Sequence, residues 1–146
     1  MSLVRDALQT ALFTRLATDS TLRTLTGNHP DDATKARVYD EPPEGAAFPY
    51  VVIGEIVERQ DNRMGGKVGR QCDVFVYAYT AKRGFKEAAS LLDRVDALLD
   101  DYTSLSVTGY TVGLLNFMES QYFKEPRVGT PLRYGVSTYQ VDLLTT

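Results

Sequence analysis

The sequence has few of the residues that carry chemistry. One cysteine, Cys72, and one histidine, His29, occur among its 146 residues. A single cysteine excludes a disulfide within the chain and any zinc cluster built from several cysteines. His29 stands in a Gly-Asn-His-Pro segment, where a lone histidine is best interpreted as solvated. Cys72 belongs to an apolar row, which favours a small buried side chain over a nucleophile.

Long apolar runs and excess positive charge are also absent. No stretch of roughly 18 apolar residues exists, so no transmembrane helix is predicted. The N-terminus has no basic segment followed by an apolar block, so we expect no signal peptide and assembly in the cytoplasm. Sixteen basic against 19 acidic residues give a formal net charge of −3. This balance does not indicate a general nucleic-acid-binding protein.

The segment from Cys72 to Tyr79 is the predicted centre of the fold. Its β-branched and aromatic residues favour a strand. Because side chains alternate along a strand, the segment has two rows: Cys72, Val74, Val76 and Ala78 in one, and Asp73, Phe75, Tyr77 and Tyr79 in the other. Both rows are largely apolar or aromatic, so we expect both faces of this strand to be covered.

Two amphipathic helices are predicted, one before this strand in the sequence and one after it. The first spans about Leu3 to Ala17 and is followed by a short turn that Asp19 caps and Gly27 ends. The second spans Phe85 to Tyr102, and its apolar stripe recurs at helical spacing. We expect the stripe of the second helix to pack on one face of the central strand.

Four further strands complete the predicted fold. They are Arg37–Tyr39, Phe48–Val57, Gly109–Phe123 and Tyr134–Leu143, with a polar loop at 27–35 and a turn at 124–131. On the second-to-last strand, Tyr110, Val112, Leu114 and Met118 are predicted to share a row. The element order predicts a single α+β domain over residues 1–146. Its mostly antiparallel sheet consists of two hairpins, with the N-terminal and central helices packed on one face.

No constellation in the sequence predicts catalysis, a cofactor or a metal. The paired acids Asp31-Asp32, Asp40-Glu41 and Asp100-Asp101 are typical of surface charge. The segment Met64-Gly65-Gly66-Lys67 lacks the spacing of a phosphate-binding loop and the Ser or Thr after its lysine. We therefore predict that the protein is not an enzyme.

The candidate functional residues are those of a protein interface. One helix-covered face cannot absorb both rows of the central strand, so Tyr77 and Tyr79 are predicted to meet a partner subunit. The glycine-rich segment 59–70 carries Arg59, Arg63, Lys67 and Arg70. We expect this basic loop to order on assembly, either against an acidic neighbouring surface such as Asp93, Asp96 and Asp100, or near DNA in a channel.

Several stretches together resemble the tail-completion family of long-tailed phages and related gene-transfer particles. The most specific is Arg37-Val38-Tyr39-Asp40, followed by two prolines and by Phe48-Pro49-Tyr50-Val51-Val52-Ile53-Gly54. The amphipathic helix from Leu3, the apolar strand Val74–Tyr79 with the helix after it, and the closing segments Glu125-Pro126 and Tyr134-Gly135-Val136 are similar as well.

The resemblance implies a structural virion protein that acts as a tail terminator and joins tail to head. Such proteins form a ring, usually of six copies, at the head-proximal end of the tail. The implied partners are further copies of the chain, the tail tube protein and a head-completion or connector protein, with DNA passing through unread and no membrane involved. Two alternatives stay open: a head-side neck protein or tail tube subunit, and, from another class, a small ligand-binding or enzymatic α+β domain.

Overall fold

The computed structural model describes residues 4–61, 69–127 and 130–145. Three helices and seven strands lie in these ranges. In chain order they are α1 Val4–Ala17, α2 Ser20–Thr26, β1 Asn28–His29, β2 Asp32–Ala36, β3 Val38–Tyr39, β4 Tyr50–Asp61, β5 Gly69–Thr80, α3 Lys86–Leu99, β6 Tyr110–Arg127 and β7 Thr130–Thr145.

A five-stranded sheet in the order β3-β4-β5-β7-β6 forms the body of the fold. The two hairpins are antiparallel, as is the β5–β7 pairing between them, whereas β3 runs parallel to β4. The α+β prediction is therefore confirmed, and the sheet is mixed. The predicted polar loop at 27–35 is wrong in part, because β1 and β2 pair there as a small antiparallel sheet.

The core lies between the helices and one row of β5. Cys72, Val74, Val76 and Ala78 are fully buried, and they share one hydrophobic cluster with α1, α2 and α3. The predicted packing of α3 is confirmed: its buried stripe comprises Ala88, Leu91, Leu92, Val95, Leu98 and Leu99. Each buried leucine contributes about 1.5–3 kcal/mol by leaving water.

The opposite row of β5 is only half-buried. Asp73, Phe75, Tyr77 and Tyr79 all retain partial exposure. The expectation that both faces of this strand are covered is wrong for the single chain. The three helices pack into one cluster with the buried row, and no described element lies over the other row.

The observed sheet differs from the predicted one in its bulges and in the lengths of its strands. β6 has irregularities between Val112 and Leu114 and between Phe117 and Glu119. The first moves the buried position from Leu114 to Leu115, so the predicted common row of β6 is wrong. The turn predicted at 124–131 is shorter, since β6 continues to Arg127 and β7 begins at Thr130.

A partly buried ion pair joins the start of α2 to α3. The carboxylate of Asp19 caps α2 by accepting the Leu22 N–H at 2.8 Å, and it also receives two hydrogen bonds from Arg94 of α3 at 2.8 and 2.7 Å. The Arg94 guanidinium is the main cause that lowers the pKa of Asp19. A bidentate pair of this kind fixes orientation as well as distance.

The acidic end of α3 has a structural explanation. Acidic residues at a helix C-terminus oppose the helix dipole. Here the Asp100 carboxylate accepts the main-chain N–H of Phe117 at 2.9 Å, and the N–H of Asp101 donates to the Leu115 carbonyl at 2.8 Å. The pair therefore ties the helix end to the outer edge of β6.

Truncating the α3 stripe tests this packing. We expect Leu92→Ala and Leu99→Ala each to lower the free energy of unfolding by about 2–5 kcal/mol, because each leaves a cavity in a filled core. Chemical denaturation measures the change. Ser90→Ala, at an exposed position of the same helix, is the control and should change stability by less than about 0.5 kcal/mol. Near-wild-type unfolding of both leucine variants would contradict the packing.

Candidate protein interface

Four tyrosines form a continuous aromatic surface on the face of the sheet that bears no helix. Tyr50 of β4, Tyr77 and Tyr79 of β5, and Tyr134 of β7 come together because the register pairs Tyr50 with Tyr79 and Tyr79 with Tyr134. Ring centroids of neighbours lie 5.4 to 6.4 Å apart. We call this set the tyrosine face.

Two phenylalanines extend the tyrosine face towards the sheet edges. Phe48, just before β4, stacks on Tyr50 at 5.2 Å, and Phe123 of β6 stacks on Tyr134 at the same distance. Phe123 is 39% exposed. Aromatic rings therefore run across four adjacent strands on one side of the molecule.

A bulge in β4 shapes the surface around Tyr77. The register shifts between Ile53 and Ile56, and the Tyr77 ring lies over Gly54, where a Cβ atom would be only 2.4 Å from the ring. The Tyr77 hydroxyl then donates to the Glu55 carboxylate at 2.6 Å. Sequence reasoning missed this contact. Its only signal is a glycine inside a predicted strand, which is typical of a bulge or a close approach.

Tyr77, Tyr79 and Tyr134 of the tyrosine face form the floor of an open groove of about 470 Å³. Three carboxylates line it, those of Asp40, Glu55 and Glu125, together with one guanidinium, that of Arg5. Arg5 and Asp40 approach to 3.9 Å. The groove thus combines aromatic ring faces with an excess of negative charge.

The hydroxyls of Tyr77 and Tyr79 resist ionisation. Burial is the main cause that raises the pKa of Tyr77, and the hydrogen bond to Glu55 raises that pKa further. Burial also raises the pKa of Tyr79. Since an ordinary tyrosine is already protonated at neutral pH, these shifts extend to higher pH the range in which both hydroxyls donate hydrogen bonds.

The structure separates the residues that the sequence predicts at an interface. Tyr77 and Tyr79 lie side by side on the tyrosine face. Arg59 shares that side of the sheet and pairs with Asp73 at 2.7 Å, whereas Arg70 pairs in register with Leu143 in the row that faces the helices. Arg63 and Lys67 lie outside the described residues.

The three acids of the predicted partner surface lie near one another on α3. Asp96 accepts a hydrogen bond from the Tyr139 hydroxyl at 3.2 Å, and its pKa is raised by burial and by the charges of Asp100 and Asp93. The Asp100 carboxylate also accepts the Phe117 N–H, and Asp93 is exposed. That this acidic surface meets a partner stays a prediction.

The remaining reactive side chains have local roles. Cys72 is fully buried, and burial raises the pKa of its thiol to about 11. His29 accepts the Asp31 N–H at 3.1 Å and lies 5.0 Å from the Tyr39 ring. Within the described part of the chain, no three His, Cys, Asp or Glu side chains are grouped to hold a metal ion. No helix in these ranges has the length and apolar character to cross a membrane.

A family model decides the class of protein. The model described as tail completion protein gp17 matches residues 10–139. The chain belongs to this family. It is a tail-completion protein, a structural component of a virion tail. No curated protein matches the chain in sequence.

Solved structures share the fold of this tail-completion protein. A chain from the virion of a native gene transfer agent particle is 21% identical, with 99% of each chain covered and a TM-score of 0.81. The gp17 protein of bacteriophage SPP1 is 19% identical, with 97% of this chain and 91% of that chain covered and a TM-score of 0.57.

Filling the space over Gly54 tests the geometry of Tyr77. We expect Gly54→Ala to displace the Tyr77 ring and break its hydrogen bond to Glu55, so the pKa of Tyr77 should fall towards the ordinary tyrosine value. Titration of tyrosinate absorbance should then show one more tyrosine ionising at lower pH. Gly113→Ala is the control, because its Cβ would meet the Leu144 side chain at 3.5 Å and the Asp142 carbonyl oxygen at 3.8 Å, both ordinary contact distances. Identical titrations for both variants would contradict the geometry.

Proposed function

We propose that the protein is a tail terminator that forms a closed ring at the head-proximal end of the tail. The ring, of six copies as the family resemblance implies, stops growth of the tail tube and gives a filled head its docking surface. Residues 1–146 act in it as one tail-completion domain. DNA passes through the ring without being read, and the protein performs no catalysis.

The observation that carries this proposal is the uncovered tyrosine face in a family of structural virion proteins. Tyr77 and Tyr79 are packed against other rings yet remain partly exposed. Tyrosine is enriched at protein interfaces because it combines a large apolar ring with a polar tip. A neighbouring copy of the chain is the partner that would cover the tyrosine face.

Two further features support an assembly role. The chain has the fold of a protein found in a gene transfer agent virion, over nearly the full length of both chains. The groove is wide and open, whereas small-molecule sites typically enclose most of their ligand. Copies of one chain, the tail tube protein and a head-completion or connector protein are the partners of a terminator.

Removing the chain from particle-producing cells tests the position in the particle. We expect filled heads and tails to accumulate separately, with tail tubes of irregular length, because nothing ends the tube or joins it to the head. Electron microscopy of the lysate measures this outcome. Complete loss of tubes would instead indicate a tube subunit, and uniform tubes beside emptied heads would indicate a head-side neck protein.

A tyrosine substitution tests the proposed interface. We expect the purified chain to show a closed-ring mass in native mass spectrometry, and Tyr79→Ser to weaken this self-association by about tenfold or more, as loss of a central interface aromatic does. Tyr102→Ser is the control, since Tyr102 lies on the helix-bearing side against Arg15. Equal self-association of both variants would place the contact elsewhere, and a monomeric wild type at every concentration would contradict ring formation by the purified chain.

A further inference from the structure

The two flanks of helix α3 contact different parts of the fold. One flank contacts the sheet edge, where the Asp100 carboxylate accepts the Phe117 N–H of β6 at 2.9 Å. The other flank contacts α2, where Arg94 donates two hydrogen bonds to the Asp19 carboxylate at 2.8 and 2.7 Å. The free side chains of the two flanks are therefore presented towards different sides of the molecule.

Three cations surround an exposed leucine on the α2 flank. Lys82, Arg83 and Lys86 line an open hollow of about 430 Å³ together with Leu25, which is 38% exposed. Glu87 also lines this hollow, and Lys82 pairs with it at 3.0 Å. Among the described residues, neither Arg83 nor Lys86 has an ion-pair partner. We call Leu25, Lys82, Arg83 and Lys86 the basic patch.

Two exposed carboxylates accompany exposed aromatic rings on the β6 flank. The carboxylates are those of Asp93 and Asp100, and the rings are Phe117 and Tyr122, which are 39% and 38% exposed. Tyr122 lies on the helix-bearing side, because a Cβ atom at Gly135 would meet both its ring and a leucine side chain of α3. Burial and, after it, the charge of Asp93 raise the pKa of Tyr122. We call Asp93, Asp100, Phe117 and Tyr122 the acidic patch.

The charges of α3 oppose its dipole at both ends. The start of a helix favours negative charge and its end favours positive charge. Here the three cations of the basic patch stand at the start against Glu87, whereas the last turn holds no basic residue and is followed by Asp100 and Asp101. Lys86 and Asp100 are about 20 Å apart along the helix axis, which is too far for the two charges to pair within one chain. A second copy can bring the opposite charge to each end.

We infer that the basic patch of one copy docks on the acidic patch of the next copy, with Leu25 against the rings of Phe117 and Tyr122. This inference rests on the proposed ring and gives neighbouring copies a contact on the helix-bearing side, in addition to the tyrosine face. The contact joins two different surfaces of the same chain, so it is head-to-tail. A head-to-tail contact closes into a ring when the rotation between copies allows it.

An antiparallel pairing of two α3 helices is less favourable than the head-to-tail contact. It would also bring Lys86 of each copy to Asp100 of the other. Because Asp93 lies midway between these two positions, it would then face Asp93 of the other copy, and like charges at close range repel each other. The head-to-tail contact avoids this repulsion and leaves one patch at each end free for further copies.

Two variants each remove the charges of one patch. The basic-patch variant, Arg83→Gln with Lys86→Gln, keeps the acidic patch. The acidic-patch variant, Asp93→Asn with Asp100→Asn, keeps the basic patch, and the new side-chain amide can still accept the Phe117 N–H. We expect each variant alone to self-associate at least about tenfold more weakly than wild type, as measured by sedimentation at several protein concentrations.

Two control variants remove the same charges from other places. Lys35→Gln with Lys124→Gln removes two cations, and Glu41→Gln with Glu44→Gln removes two exposed acids, all outside both patches. Both controls should assemble like wild type and weaken with added salt as wild type does. The two patch variants should lose much of this salt dependence, because salt screens a contact between charges that they no longer make. Circular dichroism confirms that all variants are folded.

Mixing the two patch variants, with one of them isotope-labelled, gives the decisive result. The acidic patch left in one can meet the basic patch left in the other, so native mass spectrometry should show hetero-pairs at concentrations where each variant alone is monomeric. Rings formed normally by either variant would overturn the α3 contact and leave the proposed ring standing, and so would a mixture without hetero-pairs. A wild type that never associates, or that stops at symmetric dimers, would overturn both proposals.

Discussion

The burial of one face of β5 beneath the helices is the constraint on which the rest of the structure depends. Cys72, Val74, Val76 and Ala78 are all fully buried there. Because α1, α2 and α3 share one cluster with this row, no helix of the described fold covers the opposite row. The strand has apolar and aromatic residues on both sides. Burying one side beneath the helices therefore leaves an aromatic surface exposed on the other.

Two glycines permit close packing on the two sides of the sheet. Gly135 lets Leu92 of α3 approach the sheet on the helix side, where a Cβ atom would be 2.7 Å from that side chain. Gly54 lets the Tyr77 ring lie across β4 on the other side. Each absent side chain permits a close approach that a larger residue would block. The core and the candidate interface are thus shaped by the same strands from opposite sides.

The two sides of the sheet differ in charge. Acidic groups border the groove, whereas the cations Lys124 and Arg133, which are paired directly across β6 and β7, lie on the other side. The Asp100 and Asp101 contacts meanwhile occupy part of the outer edge of β6. Protecting an exposed edge strand in this way disfavours indiscriminate strand pairing. A structural virion protein needs such selectivity, since it assembles with other proteins of the particle.

The sequence by itself determined the helices, the central strand and the fold class. These features depend on apolar periodicity and on capping residues such as Asp19 and Gly27, and both signals lie within a few neighbouring positions of the chain. It also predicted an interface at Tyr77 and Tyr79, which stays a prediction, and the resemblance it carries led to the family. Only the tertiary structure decided that a carboxylate and a glycine shape the tyrosine groove, and that Arg59 and Arg70 lie on opposite sides of the sheet. Those facts depend on strand register and bulges, which arise from pairing between distant segments and shift a side chain to the other face with a single residue of slippage.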